Sequence, residues 1–350
     1  MARSKTYIAT PPGATIKEQL EYRGMSQREF AKRMDYSEKF ISQLINGQVE
    51  LTPNTAHRLE MVLGVPSAFW MSLEARYREK LLKVEEENSL DEDKQLARKF
   101  PYAQMAKLGW VEPTRSVANK VVELRKFFEV VRLSLLGEGR LAPGIAYRRQ
   151  KETAESEYAL LAWAQKAKVD AREITTGKIN VGKLEDCIPK LRELTSMDPA
   201  DFQPVLVSML AECGIATVFL PHLEHTFLNG ATFYDGSKIV LALTLRGADA
   251  DKFWFSLFHE LAHVINGHIG RTAGTTEEEE RAADAFARDT LIPPESYAQI
   301  AVGDKTHSSV MSFANEIGIA PGIVVGRLQK DGYLPYSQLN SLKVRYQFAE

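Results

Sequence analysis

The chain has 350 residues, 44% of them hydrophobic, and its 44 basic side chains nearly balance its 46 acidic ones. That suits two or three ordinary globular domains and gives only weak support for a nucleic-acid partner from charge alone. The opening MARSKTYIAT lacks the apolar core of a secretory signal, no uncharged apolar run approaches a membrane span, and Cys187 and Cys213 match no Cys-x-x-Cys zinc pattern, so a cytoplasmic chain with no membrane role is expected.

Residues 15–64 read as four or five short helices joined by tight turns. Ser26-Gln27-Arg28-Glu29 is a capping box that opens a helix running to about Met34. After the turn at Asp35 and Tyr36, Ser37 caps a second helix from Glu38 to Asn46, which Gly47 ends. Thr52-Pro53 starts the next with a cap residue and a proline at the first helical position. Leu20, Phe30, Ala31, Met34, Ile41, Leu44 and Leu59 are the expected common core. Two helices joined by so short a turn make a helix-turn-helix unit, whose second member enters the DNA major groove.

The stretch GMSQREFAKRMDYSEKFISQLINGQVELTPNTAHRLEMVLG resembles the Cro/C1-type helix-turn-helix, and most of all its antitoxin-type, HigA-like branch. The resemblance implies that Gln27 touches a backbone phosphate, that Glu38, Lys39 and Gln43 face base edges, and that Asn46 lies near the backbone. Arg28 is counted with them among the DNA-binding side chains. The helical spacing agrees, since these side chains lie opposite Ile41 and Leu44. Gln43 suits an adenine edge and Lys39 a guanine. Phe40 either meets a thymine methyl or packs. Bases outnumber acids over residues 1–58, but one such module binds weakly, so a homodimer on two-fold operator DNA is the expected form.

After Pro66, AFWMSLEARYREKLLKVEEE reads as one long amphipathic helix with Trp70, Leu73, Tyr77 and Leu81 on one side. The acidic run Glu85–Asp93 reads as a solvated helix end or linker. Helical patterns over Val117–Val131 and Tyr158–Val169 carry no evident chemistry. A helix containing Cys213 then precedes a buried strand, Ile215–Leu220; core packing is the reading for Cys213, with a thiolate that blocks a metal as the alternative. Ala231–Tyr234 and Ile239–Leu243 flank Asp235-Gly236, a hairpin signal.

The segment HELAHVINGH holds the chemistry. His259 and His263 lie one helical turn apart, so both imidazoles can reach one cation, with Glu260 placed to act on water beside it. Asp249 or Asp251 can cap this helix, and its apolar flanks (Phe253, Leu257, Leu261, Val264) place it in a core. Such a segment buries histidines cheaply only if something pairs them. Downstream, Glu280 and Asp284 are again one turn apart, on a face shared with Ala283 and Ala287. Glu280 is read as the third metal ligand and Asp284 as the acceptor of a ligand histidine's other N–H. Glu277, Glu278 and Glu279 are read as a helix start answering its dipole. A third histidine ligand would need Gly at 266 and His at 269, where Asn266 and Ile269 stand. Gly267 ends the helix in a left-handed cap, and His268 follows at the surface or behind the ligands. His222, His225 and His307 are read mainly as surface residues, with polarising a scissile carbonyl as the alternative.

GATFYDGSKIVLAL, DKFWFSLFHELAHVINGH and ERAADAFARDTLIPP resemble the ImmA/IrrE family of metallopeptidases, with Ala282 and Asp284 where that family commonly has glutamate and asparagine. The resemblance covers roughly residues 200–295 and extends more loosely to 335. It implies a zincin-like α+β domain and regulated cleavage of a partner protein, commonly a repressor. The expected architecture is mainly α with a small C-terminal α+β domain. It comprises a helix-turn-helix bundle over 10–66, a helical linker or dimerisation region over 67–200, and a zinc metallopeptidase domain with a small sheet over 201–350. The expected function is a DNA-binding, antitoxin-like regulator with a zinc-dependent endopeptidase acting on a partner regulatory protein or on itself; Mn or Fe also suits the donor set. The rival is a repressor that cuts nothing and whose metal domain senses a signal or binds a partner toxin.

Overall fold

The computed structural model describes residues 2–138, 154–224, 226, 229–244, 249–270 and 274–347, with backbone alone at 137–138 and 154–156. By contact the chain divides into two compact units, Met1–Gln95 and Leu96–Glu350.

In the first unit a two-residue ladder, β1 (Ala2–Arg3) with β2 (Ile8–Ala9), precedes α1 (Gly13–Tyr22), α2 (Gln27–Met34), α3 (Glu38–Ile45), α4 (Pro53–Leu63) and the long α5 (Ser67–Ala97). The caps act where the sequence puts them: the side chains of Ser26, Ser37 and Thr52 accept from the backbone N–H of Glu29, Phe40 and Thr55. The box at Ser26 is only half formed, because the Glu29 carboxylate accepts from Arg33 at 2.6 Å. Every expected core residue is buried, and Trp70 of α5 closes the set. Asp35 turns the chain with a left-handed φ of 55°. Arg58 clamps that turn, donating to the carbonyls of Met34 (2.7 Å) and Asp35 (3.1 Å). Phe30→Ala empties the centre of this bundle. It should cost about 3–5 kcal/mol in chemical denaturation and take DNA binding with it.

The acidic end of α5 is not merely solvated. Glu87 accepts from the hydroxyls of Ser4 and Thr6, and Asp91 pairs with Lys5 at 2.6 Å. The loop between β1 and β2 is thus tied to the helix, and Tyr77 and Val84 pack on Ala9. Residues 67–95 therefore cluster with the N-terminal bundle.

The second unit holds α6 (Tyr102–Lys107), α7 (Val117–Phe128), α8 (Ala154–Arg172), α9 (Val181–Glu193), α10 (Pro199–Glu212), β3 (Ile215–Leu220), β4 (Gly230–Asp235) and β5 (Lys238–Thr244). There follow α11 (Ala250–Ile265), α12 (Glu277–Leu291), α13 (Pro294–Val302), α14 (His307–Ile317) and α15 (Pro321–Lys330). The sheet runs β3-β5-β4, with β3 parallel and β4 antiparallel to β5. Ile239, Leu241 and Leu243 of β5 join α11 in the main core. Side chains alternate along a strand, so the equally buried Val240 and Ala242 face the other way, towards α8. Trp163 of α8 donates to the carbonyl of Pro221 just after β3, and Leu184 and Leu191 of α9 enter the core of α11. Of the elements in this stretch, α8 lies on the sheet and α9 on α11. Cys213 also packs in this core, 4.0 Å from the sulfur of Cys187, and burial pushes its thiol up to about 11. Among the described residues no single helix is long and apolar enough to cross a membrane.

Candidate metal centre and nucleic-acid interface

α11 is apolar nearly all round, and Trp254, Leu257, Phe258 and Leu261 are fully buried. Asp249 stands at the N-cap as expected but makes no side-chain cap bond, and Asp251 accepts from Lys343 at 3.0 Å. α12 starts as a complete capping box, Thr276 with Glu279, and lays Glu280, Ala283 and Ala287 against α11. Ala283 and Ala287 are fully buried, so the two helices approach closely enough for Glu280 to reach the histidines.

His259 Nε2 and His263 Nε2 lie 3.1 Å apart. The Glu280 oxygens stand 3.5 Å from the first and 3.4 Å from the second. Ligands on a tetrahedral ion with bonds of about 2.0–2.1 Å are roughly 3.3 Å apart. Among the described residues this is the one His/Cys/Asp/Glu group whose donor atoms meet in that way. His259 Nδ1 is 2.9 Å from Asp284 Oδ1, and a carboxylate there holds the ring proton on Nδ1. That leaves the Nε2 lone pair turned to the point between the three side chains. The donor set therefore fits a divalent cation.

The electrostatics agree. Burial acts to lower the His259 pKa, but Asp284 and Glu280 outweigh it and raise it to about 10. For Glu280 burial is likewise overridden: His259, His263 and the Thr275 hydroxyl hold its carboxyl far below the usual range. Asp284 is also lowered, chiefly by its bond to His259. The His259 and Glu280 shifts are two sides of one attraction, a carboxylate set beside rings that favour positive charge. Asp284 does not pair with Arg288, whose guanidinium is held by Asp289 at 2.7 Å.

Glu260 is buried on the β4 side of α11, where the hydroxyl of Thr232 donates to Oε2. A Cβ on Gly230 would stand 2.9 Å from Glu260 Cγ, so the bare glycine makes room for this side chain. Burial raises the Glu260 carboxyl's affinity for a proton, tempered by His259 and Thr232. Sequence reasoning missed Thr232 and Thr275. The alternation of Gly230 and Thr232 on one strand face was the available signal for the first; nothing local marked the second. His222 accepts or donates at 3.3 Å to Thr226, and His307 begins α14; neither joins the cluster, and His225 lies outside the described residues.

In the first unit Gln27, Arg28, Glu38, Lys39 and Asn46 are exposed and Gln43 is half-buried. Arg28 reaches Glu38 at 3.3 Å, bridging α2 and α3, and the Asn46 amide donates to the carbonyl of Ser42 at 2.9 Å. Phe40 packs, its ring 4.4 Å from that of Tyr36.

Residues 16–70 match the family model described as Helix-turn-helix. The uncharacterized HTH-type transcriptional regulator YddM of Escherichia coli (strain K12) is 36% identical over 63 residues, which are 18% of this chain and 67% of that protein. The chain belongs to the helix-turn-helix regulators. An addiction module antidote protein of a HigA family from Coxiella burnetii is 28% identical, covering 21% of this chain and 80% of that one, with a TM-score of 0.20. Residues 232–329 of the regulator match the model described as IrrE N-terminal-like domain. This regulator thus joins a Cro/C1-type DNA-binding domain at its N-terminus to an ImmA/IrrE-like peptidase-family domain at its C-terminus.

Proposed function

We propose that this regulator is a zinc-dependent endopeptidase as well as a DNA-binding protein, and that it cuts a partner regulatory protein or itself. The observation that carries this is the meeting of His259, His263 and Glu280 beside a buried glutamate that the ligand set does not use. A structural zinc site is closed by four protein ligands and has no need of such a carboxylate.

His259, His263 and Glu280 would hold the ion, which when bound acidifies water and polarises a peptide carbonyl. Asp284 keeps the proton of His259 on Nδ1 and so aims its lone pair. Glu260 takes the proton of the attacking water and passes it to the leaving amine. Thr232 fixes which carboxylate oxygen remains available for that transfer. β4 lies at the edge of the sheet, where an extended peptide can add as a further strand.

At the other end α3 is the reading helix. Lys39 and Gln43 face base edges, while Gln27, Arg28 and Asn46 work at the backbone and Glu38 steadies Arg28. The expected form on DNA is a homodimer on a two-fold site. Gln43→Ala should cost about 1–3 kcal/mol on the preferred duplex and relax its sequence preference at one position. Selection from random duplexes, followed by titration at fixed salt, reads both.

The test of the whole reading is metal analysis of protein purified without added metal, then cleavage assays with and without the selected DNA. Stoichiometric zinc with chelator-sensitive cleavage of a partner repressor or of the chain is expected. Protein that neither carries nor takes up zinc overturns the metal reading, and zinc without cleavage leaves the repressor that cuts nothing.

A further inference from the structure

α11 ends in a Schellman motif. Asn266 is the cap, Gly267 is left-handed at φ 66°, and the backbone N–H groups of Gly267 and His268 donate to the carbonyls of Val264 (3.2 Å) and His263 (2.9 Å). This fold-back normally sets the second residue past the cap against the helix position that accepts its N–H, usually through an apolar contact. Here both positions are histidines. The rings of His263 and His268 lie 5.4 Å apart, with their Nδ1 atoms at 3.2 Å.

We propose that His268 is the positioning residue for the second metal-binding imidazole, doing for His263 what Asp284 does for His259. The inference rests on the metal reading given above. A neutral imidazole carries one proton. For the Nε2 lone pair of His263 to face the shared point, that proton must sit on Nδ1, and His268 Nδ1 is the acceptor within reach. His268 then carries its own proton on Nε2, and that edge faces Glu279 Oε1 at 4.0 Å, a carboxylate that favours this tautomer. The two ligand rings are thus aimed by different devices: a carboxylate from α12 for one, and the helix's own C-terminal turn for the other. Glu279 belongs to both, since its other oxygen accepts from the N–H of Thr276 in the capping box of α12.

The test uses the full-length chain. Zn2+ affinity is measured by competition with a chromogenic chelator for the native protein, His268→Ala and His268→Asn, and the melting temperature of each metal-free protein is recorded. Asparagine puts an acceptor oxygen where Nδ1 stands. Loss of the acceptor should weaken zinc binding roughly 10–100-fold, the usual effect of removing a partner behind a ligand. His268→Asn should recover most of that loss, with the metal-free melting temperatures of all three alike. Zinc affinity unchanged in His268→Ala overturns the proposal while leaving the metal site intact. A loss that His268→Asn does not recover, matched by a fall in metal-free melting temperature, also overturns it, by showing a structural role alone. Native protein that binds no zinc removes this proposal together with the reading on which it rests.

Discussion

Glu280→Gln should lose zinc affinity by more than about 100-fold, beyond what removal of an outer partner costs. The substitution is nearly isosteric, and its amide oxygen can still accept from the Thr275 hydroxyl that holds Glu280 now. What it removes is the negative charge 3.5 and 3.4 Å from the two Nε2 atoms. A carboxylate ligand offsets the charge of a divalent ion inside an apolar helix pair, and an amide does not. α12 should stay folded, because its capping box and its Ala283 and Ala287 contacts are untouched. Chelator competition gives the affinity and circular dichroism the helix content. Native affinity in Glu280→Gln would show that α12 supplies no ligand.

Glu260→Gln should do the reverse: keep the metal and lose the chemistry. Glutamine fills the same space under Gly230 and still accepts from Thr232, so the packing survives. Zinc affinity and DNA binding should stay within a few-fold of native, about 1 kcal/mol or less. Proteolysis should fall by about 10²–10⁴, the usual contribution of a positioned general base. Once the substrate is in hand, mass spectrometry of cleavage products over time provides the measurement. Undiminished cleavage by this variant would remove Glu260 from the mechanism without touching the metal site.

Much of the molecule was legible residue by residue. Ser26, Ser37 and Thr52 announced three helix starts, and Ile215–Leu220 appeared as a strand at the expected bounds. Asp235-Gly236 announced the β4–β5 turn, where Gly236 takes φ 60°. The i, i+4 spacings of His259 with His263 and of Glu280 with Asp284 already put each pair on one helix face. The misreadings have a common form. Glu29 went to Arg33, Asp251 to Lys343, and Glu87 to Ser4 and Thr6: each is a charged side chain with one plausible role and another partner within reach.

Read alone, the residues determined where helices begin, which faces are apolar and which side chains can share a cation, because caps and periodicity act within one turn of chain. Only the packed molecule decided that Asp284 holds His259 rather than His263, that Thr232 reaches Glu260 across 28 positions, and that residues 4–6 grip α5 more than 80 positions away. Those contacts depend on how separate elements lie against one another. The side chains making them are ordinary polar residues until burial removes the water that would otherwise satisfy them.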